Sequence, residues 1–93
     1  MYDVKILVAE DDLRQRKALV RWLEKAHFGD VDEAGYGREA IRKIGENLYD
    51  IIIADKNMPE EEGVNEDKEY GIEILKYSKA RNPDTEVIII TAY

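Results

Sequence analysis

The chain has 93 residues, no cysteine and a formal net charge of -7. That length allows one domain with its own core. The missing cysteines exclude a disulfide framework, Cys-based zinc sites and thiol chemistry, and the acidity argues against general nucleic-acid binding.

No apolar run reaches membrane-spanning length, and the Met1-Tyr2-Asp3 start carries no signal-peptide pattern. The expectation is a cytoplasmic protein with no membrane partner. Lys5 to Ala9, preceded by Val4, reads as a first strand that stops at Glu10-Asp11-Asp12. Leu13 to Ala26 has helical spacing, with Leu19, Trp22, Leu23 and Ala26 on one face. Arg14, Arg16, Lys17, Arg21 and Lys25 mostly face away. Asp12 suits a helix cap. Gly29 is expected to break the helix, and Val31 to Ala34 alternates as an edge strand does. Gly35 and Gly37 make a turn into a second helix, Arg38 to Asn47, with Ala40, Ile41, Ile44 and Leu48 inward. His27 and Trp22 read as structural rather than functional residues.

Ile51, Ile52, Ile53 and Ala54 form a short β-branched apolar run, the pattern of a strand buried on both faces. The run ends at Asp55, and Met58-Pro59 prevents a helix from starting at once. Residues 60–70 are polar, mostly acidic and aperiodic, and read as a loop. Gly71 to Arg81 is a third helix, with Ile72, Ile74, Leu75, Tyr77 and Ser78 near its buried side. Asn82-Pro83-Asp84 ends it, and Val87 to Ile90 is a fourth strand leading into Thr91-Ala92-Tyr93. The β-α-β-α-β-α-β alternation predicts a flavodoxin-like α/β fold, a doubly wound parallel sheet of order 2-1-3-4. Its switch point falls between the first and third strands, which brings Glu10, Asp11 and Asp55 together. Thr91 ends the neighbouring strand.

Three converging carboxylates repel one another, and one would be pushed towards protonation. A hard divalent cation removes the conflict, and Mg²⁺ favours a few carboxylates with retained waters. Aspartate is a competent nucleophile for phosphorus. The cluster is therefore equipped to accept phosphate on Asp55, with Glu10 and Asp11 holding the metal and Thr91 offering a hydroxyl to a phosphoryl oxygen.

These residues resemble the receiver domain of two-component response regulators. Ile6-Leu7-Val8-Ala9-Glu10-Asp11-Asp12 is similar to that family's first strand and acidic pocket, and Asp55-Lys56-Asn57-Met58-Pro59 to its phosphoacceptor loop. Gly71-Ile72-Glu73-Ile74-Leu75 resembles the start of its third helix, and Val87-Ile88-Ile89-Ile90-Thr91-Ala92 its switch strand. The resemblance implies that Asp55 is both the phosphoacceptor and a Mg²⁺ ligand, Asp11 a direct Mg²⁺ ligand and Glu10 a ligand through water. It further implies that the Asn57 main-chain carbonyl ligates the metal and that Thr91 is the switch hydroxyl. The implied phosphoryl donor is a histidine kinase or phosphotransfer domain, and output follows from a conformational switch. The first helix of such domains also helps dock the kinase, which gives its basic residues a second reading beside a solvated face.

Departures from the pattern set further expectations. The family continues after Thr91-Ala92 with a fourth helix, a fifth strand and a fifth helix, so residues 1–93 read as a single incomplete receiver domain, truncated after the fourth strand. The family's phosphate-contacting lysine has no counterpart, because Lys56 points away from its neighbour Asp55. An uncovered fourth-strand edge predicts self-association or domain swapping. About eight residues in 60–70 are an acidic insertion beside the site. Gln15 stands where an aliphatic residue packs beneath the pocket, which predicts local repacking. Asn57 and Tyr93 are expected to modulate dephosphorylation, with bulky Tyr93 slowing it. Catalysis is expected on the domain's own phosphate only. Two alternatives stay open: a non-phosphorylated interaction or dimerisation module, and an aspartyl-phosphate phosphohydrolase. The second is disfavoured because Asn57 replaces the general acid such enzymes place two residues after the nucleophile.

Overall fold

The computed structural model describes residues 2–91. Six strands and three helices follow in the order β1 (Tyr2–Ala9), α1 (Leu13–Lys25), β2 (Phe28–Ala34), α2 (Gly37–Glu46), β3 (Ile51–Asp55), β4 (Met58–Pro59), β5 (Asp67–Lys68), α3 (Tyr70–Arg81) and β6 (Glu86–Ile90). The main sheet is parallel with order β2-β1-β3-β6. The predicted fourth strand is β6, so the expected 2-1-3-4 arrangement is the observed one.

Central β1 is buried on both faces because it is apolar at every position from Ile6 to Ala9. Leu7 and Ala9 join Ile52, Ala54 and Met58 under α2 and α3, with Ala40, Ile44 and Ile74 completing that core. Ile6 and Val8 face α1 and meet Val20, Leu19 and Leu23. Two helices thus cover one side of the sheet, and α1 covers β1 and β2 on the other. Ile51 and Ile53 lie on the α1 side and are only half-buried, so β3 is not enclosed on both faces as its sequence predicts. Apolarity calls for burial, but α1 does not reach that far across the sheet.

Asp12 caps α1, its Oδ1 accepting from the Arg14 and Gln15 main-chain N–H groups at 2.9 and 3.1 Å. The inward face of α1 is Arg16, Leu19, Val20 and Leu23: Leu19 and Leu23 of the predicted face are inward, whereas Trp22, 75% exposed, and Ala26 face solvent. The helix ends at Lys25 with Ala26 as its C-cap, His27 just beyond it has a φ of 72° in the left-handed region, and Gly29 lies inside β2 instead of breaking the helix. Leu48, expected inward, is 69% exposed because it lies beyond the end of α2. Gln15, expected beneath the pocket, is instead exposed on α1.

Residues 60–66 of the expected loop carry no helix or strand, but Asp67–Lys68 pair antiparallel with Met58–Pro59 to close them into a hairpin, and Tyr70 already opens α3. Gly63, at φ 83°, makes the tight turn between these strands. The hairpin is tied to α2 by Arg38 N–H donating to the Glu60 carbonyl at 3.0 Å. The Glu60 carboxylate accepts from Tyr70 Oη at 3.1 Å and Lys68 Nζ at 3.3 Å. The Tyr70 ring lies over Gly37, where any Cβ would come within 2.2 Å of it. Residues 61–69 stay exposed, so charge and the sheet-edge pairing hold this segment without a core of its own.

Candidate metal centre

β1 and β3 are neighbours in register, Ala9 beside Ala54, so both chains leave the sheet at the same edge. The first residues past β1 are Glu10 and Asp11, and the last residue of β3 is Asp55. One carboxylate oxygen from each of the three lies within 4.8 Å of the others. Among the described residues this is the one group of three or more His, Asp or Glu close enough to share a metal. The sequence therefore placed this cluster correctly, and parallel register is the reason.

The three acids are not equivalent. Glu10 is buried, Asp55 half-buried and Asp11 exposed. Burial pushes the Glu10 carboxyl up to about 7 against the hydrogen bond from Asp12 N–H, with nearby Asp11 and Asp55 adding to the rise. Glu10 is held from several sides. Its N–H donates to the Ala34 carbonyl at 3.0 Å, its Oε2 accepts from Asp12 N–H at 3.1 Å, and its carbonyl accepts from Arg16 Nη1 at 2.9 Å. Asn57 N–H donates to Asp55 Oδ1 at 3.3 Å, which orients the Asp55 side chain towards the cluster. An all-oxygen donor set of three converging carboxylates, opening to solvent at Asp11, fits a hard cation that keeps part of its water shell, as Mg²⁺ does.

The backbone after Asp55 is anchored twice. Lys56 N–H donates to the Ile90 carbonyl at 2.8 Å, and Gly71 N–H to the Lys56 carbonyl at 3.0 Å. Gly71 permits this approach, since a Cβ there would stand 2.6 Å from Lys56 Cα and 2.7 Å from the Asp55 carbonyl oxygen. Ile90 pairs with Asp55 across the sheet, so Thr91 follows immediately at the same edge, exposed to solvent. Asn57 is exposed beside the cluster. The Lys56 ammonium lies 3.5 Å from Glu69, engaged with the hairpin end. Tyr93 lies outside the described residues.

A cleft of roughly 480 Å³ opens beside Asp11, walled also by Arg16, Gly35, Tyr36, Pro59 and Gly63 among others. A larger one of roughly 710 Å³ lies between α2 and α3, lined by Arg38, Ile41, Tyr70 and Tyr77, away from the carboxylates. Sequence reasoning missed Arg16 and Tyr70. Arg16 occupies the 16, 19, 20, 23 helical stripe with Leu19, Val20 and Leu23, a spacing that could have marked it as inward despite its charge.

Residues 6–93 match the response regulator receiver domain family. The transcriptional regulatory protein ResD of Bacillus subtilis is 36% identical over 90 residues, covering 97% of this chain and 33% of ResD. The chain thus spans about a third of that relative's length. Among solved structures, the N-terminal domain of an uncharacterized protein from Wolinella succinogenes aligns with TM-score 0.77 at 36% identity, covering 97% of this chain and 65% of that one. The response regulator TrrA from Thermotoga maritima, in complex with Mg²⁺-BeF, aligns with TM-score 0.78 at 29% identity over 97% of this chain and 70% of its own. With the acids at the switch point, the flavodoxin-like sheet and a family match over nearly its whole length, the chain belongs to the response regulator receiver domains of two-component systems.

Proposed function

We propose that the chain is a phosphoacceptor receiver that takes a phosphoryl group on Asp55 in a Mg²⁺-dependent reaction with a histidine kinase or phosphotransfer partner. The convergence of the Glu10, Asp11 and Asp55 carboxylates carries this reading. Asp55 supplies the nucleophilic oxygen. It attacks phosphorus of the partner's phosphohistidine as the P–N bond breaks, and the electron pair leaves on the imidazole nitrogen. Asp11, Glu10 and Asp55 would hold the cation together with the Asn57 main-chain carbonyl. Bound Mg²⁺ offsets charge on the phosphoryl oxygens. The Asn57 N–H fixes the attacking side chain against rotation. Thr91, one residue past the partner of Asp55 in the sheet, offers its hydroxyl to the phosphoryl group. Its movement shifts the population of the surface around β6. Asn57 and Tyr93 modulate the return reaction.

A second reading, a receiver-like interaction module without phosphorylation, draws support from one observation. Lys56, the lysine nearest Asp55 in sequence, is engaged with Glu69. We also propose self-association through β6, whose outer edge is unpaired among the described residues and whose Ile88 is 51% exposed. Incubation with Mg²⁺ and beryllofluoride or a small phosphodonor, with Asp55→Asn as control, tests the main reading. A one-to-one adduct on the parent alone, seen by mass or fluorine NMR, is the expected result. No adduct leaves the module reading in its place, and repeated turnover of the donor points to a phosphohydrolase.

A further inference from the structure

We infer that Arg16 is a positioning residue for Mg²⁺ binding, acting through the main chain of Glu10. The inference rests on the receiver reading of the three carboxylates.

Its side chain is only 17% exposed, although its neighbours Arg14, Gln15 and Lys17 face solvent. Nε donates to Glu33 Oε1 at 3.0 Å, which sets the plane of the guanidinium. Nη1 then donates to the Glu10 carbonyl at 2.9 Å. Lys17 takes the other Glu33 oxygen at 2.9 Å, and Lys43 Nζ donates to the Glu33 carbonyl, so Glu33 is held from both flanking helices. The guanidinium also sits close under the β2–α2 turn, where a Cβ on Gly35 would come within 2.9 Å of Nη1.

The consequence falls on the turn that carries the metal-binding acids. Glu10 N–H is tied to β2 through Ala34, and its carbonyl is tied to α1 through Arg16. The peptide joining Glu10 to Asp11 therefore has its carbonyl direction set by the arginine. One planar fork satisfies Glu33 and the Glu10 carbonyl together, which the single ammonium of lysine does less well. Without the fork, the turn must be ordered when the cation binds, and that entropy is subtracted from affinity.

Electrostatics alone predicts the opposite sign. Removing a positive charge beside three acids would tighten a divalent cation. The direction of the change therefore separates positioning from charge.

The experiment is a Mg²⁺ titration of the 93-residue chain, followed by amide NMR shifts in residues 10–12 and 55–57, with thermal midpoints recorded in EDTA. Arg16→Ala is expected to weaken Mg²⁺ binding about ten-fold, the range seen when groups that orient metal ligands are removed. Arg16→Lys, which keeps the charge, should be weakened several-fold. Arg14→Ala, an exposed arginine on the same turn of α1, should bind as the parent does or slightly tighter. Unchanged or tighter binding in a folded Arg16→Ala overturns the inference, even if its thermal midpoint falls. If that variant does not fold, parent-like affinity in Arg16→Lys overturns it. A parent chain that takes up no Mg²⁺ sinks the receiver reading itself, an outcome distinct from a parent that binds and variants that match it.

Discussion

Gly71 shows how one missing methyl group shapes the site. The N-terminus of α3 lies against the peptide of Asp55 and Lys56, and the obstacle to a Cβ there is backbone, which cannot swing aside as a flexible side chain would. Gly71→Ala is expected to cost about 1–3 kcal/mol, as overpacked positions do. It should also lengthen the Gly71 N–H contact with the Lys56 carbonyl. Urea unfolding gives the first number, and faster hydrogen exchange at the Gly71-position amide checks the second. Position 37 differs: there the obstacle is the Tyr70 ring, which can rotate away if the Glu60 hydrogen bond is given up. Glycines 37 and 71 were visible in the sequence as turn and helix-start residues, but what each one makes room for depends on distant partners.

Among the elements, β2 and α1 depend on Glu33 more than their apolar patterns imply. Burial works to raise the Glu33 carboxyl, but hydrogen bonds and charge from Lys17 and Arg16 outweigh it and hold it below its ordinary value of 4.5. A carboxyl lowered by folding stabilises the native state above that value, and the contribution is lost as pH falls through the folded pKa. Glu33→Gln should therefore be less stable than the parent at neutral pH. The gap should narrow as pH drops below 4.5, read from urea midpoints along a pH series. A gap that stays constant would mean that packing, not the ion pairs, is what the substitution removes. The hairpin of β4 and β5 is a second case of structure held by polar contacts. Its acidic sequence has no period to read, because Glu60, Arg38, Lys68 and Tyr70 pair across it instead of burying a face.

For the whole molecule, the two sheet edges differ in kind. At the β2 edge, Gly29 and Asp30 are exposed, and Lys5 pairs with Asp30 and Asp32, so charge discourages pairing there. The β6 edge is isoleucine-rich, with Ile88 half exposed and Ile51 and Ile53 only partly covered beside it. On the proposed association through β6, sedimentation velocity should show a concentration-dependent shift for the parent. Ile88→Lys should move the chain towards monomer without lowering its thermal midpoint. A monomeric parent at high concentration would remove the proposal.

The sequence by itself determined the order of the three helices and of the four main-sheet strands, the parallel topology and the meeting of Glu10, Asp11 and Asp55. Those follow from local periodicity and from the rule that right-handed crossovers bring alternate strands out at one edge. Only the tertiary structure decided which helical faces are covered. Trp22 and Leu48 are apolar yet exposed, while Arg16 is charged yet held inward, because burial depends on what lies opposite a residue and not on its own polarity. The tertiary structure likewise turned residues 58–68 into a stapled hairpin and placed Gly71 against Asp55. Both rest on contacts between residues far apart in the chain, which no local pattern contains.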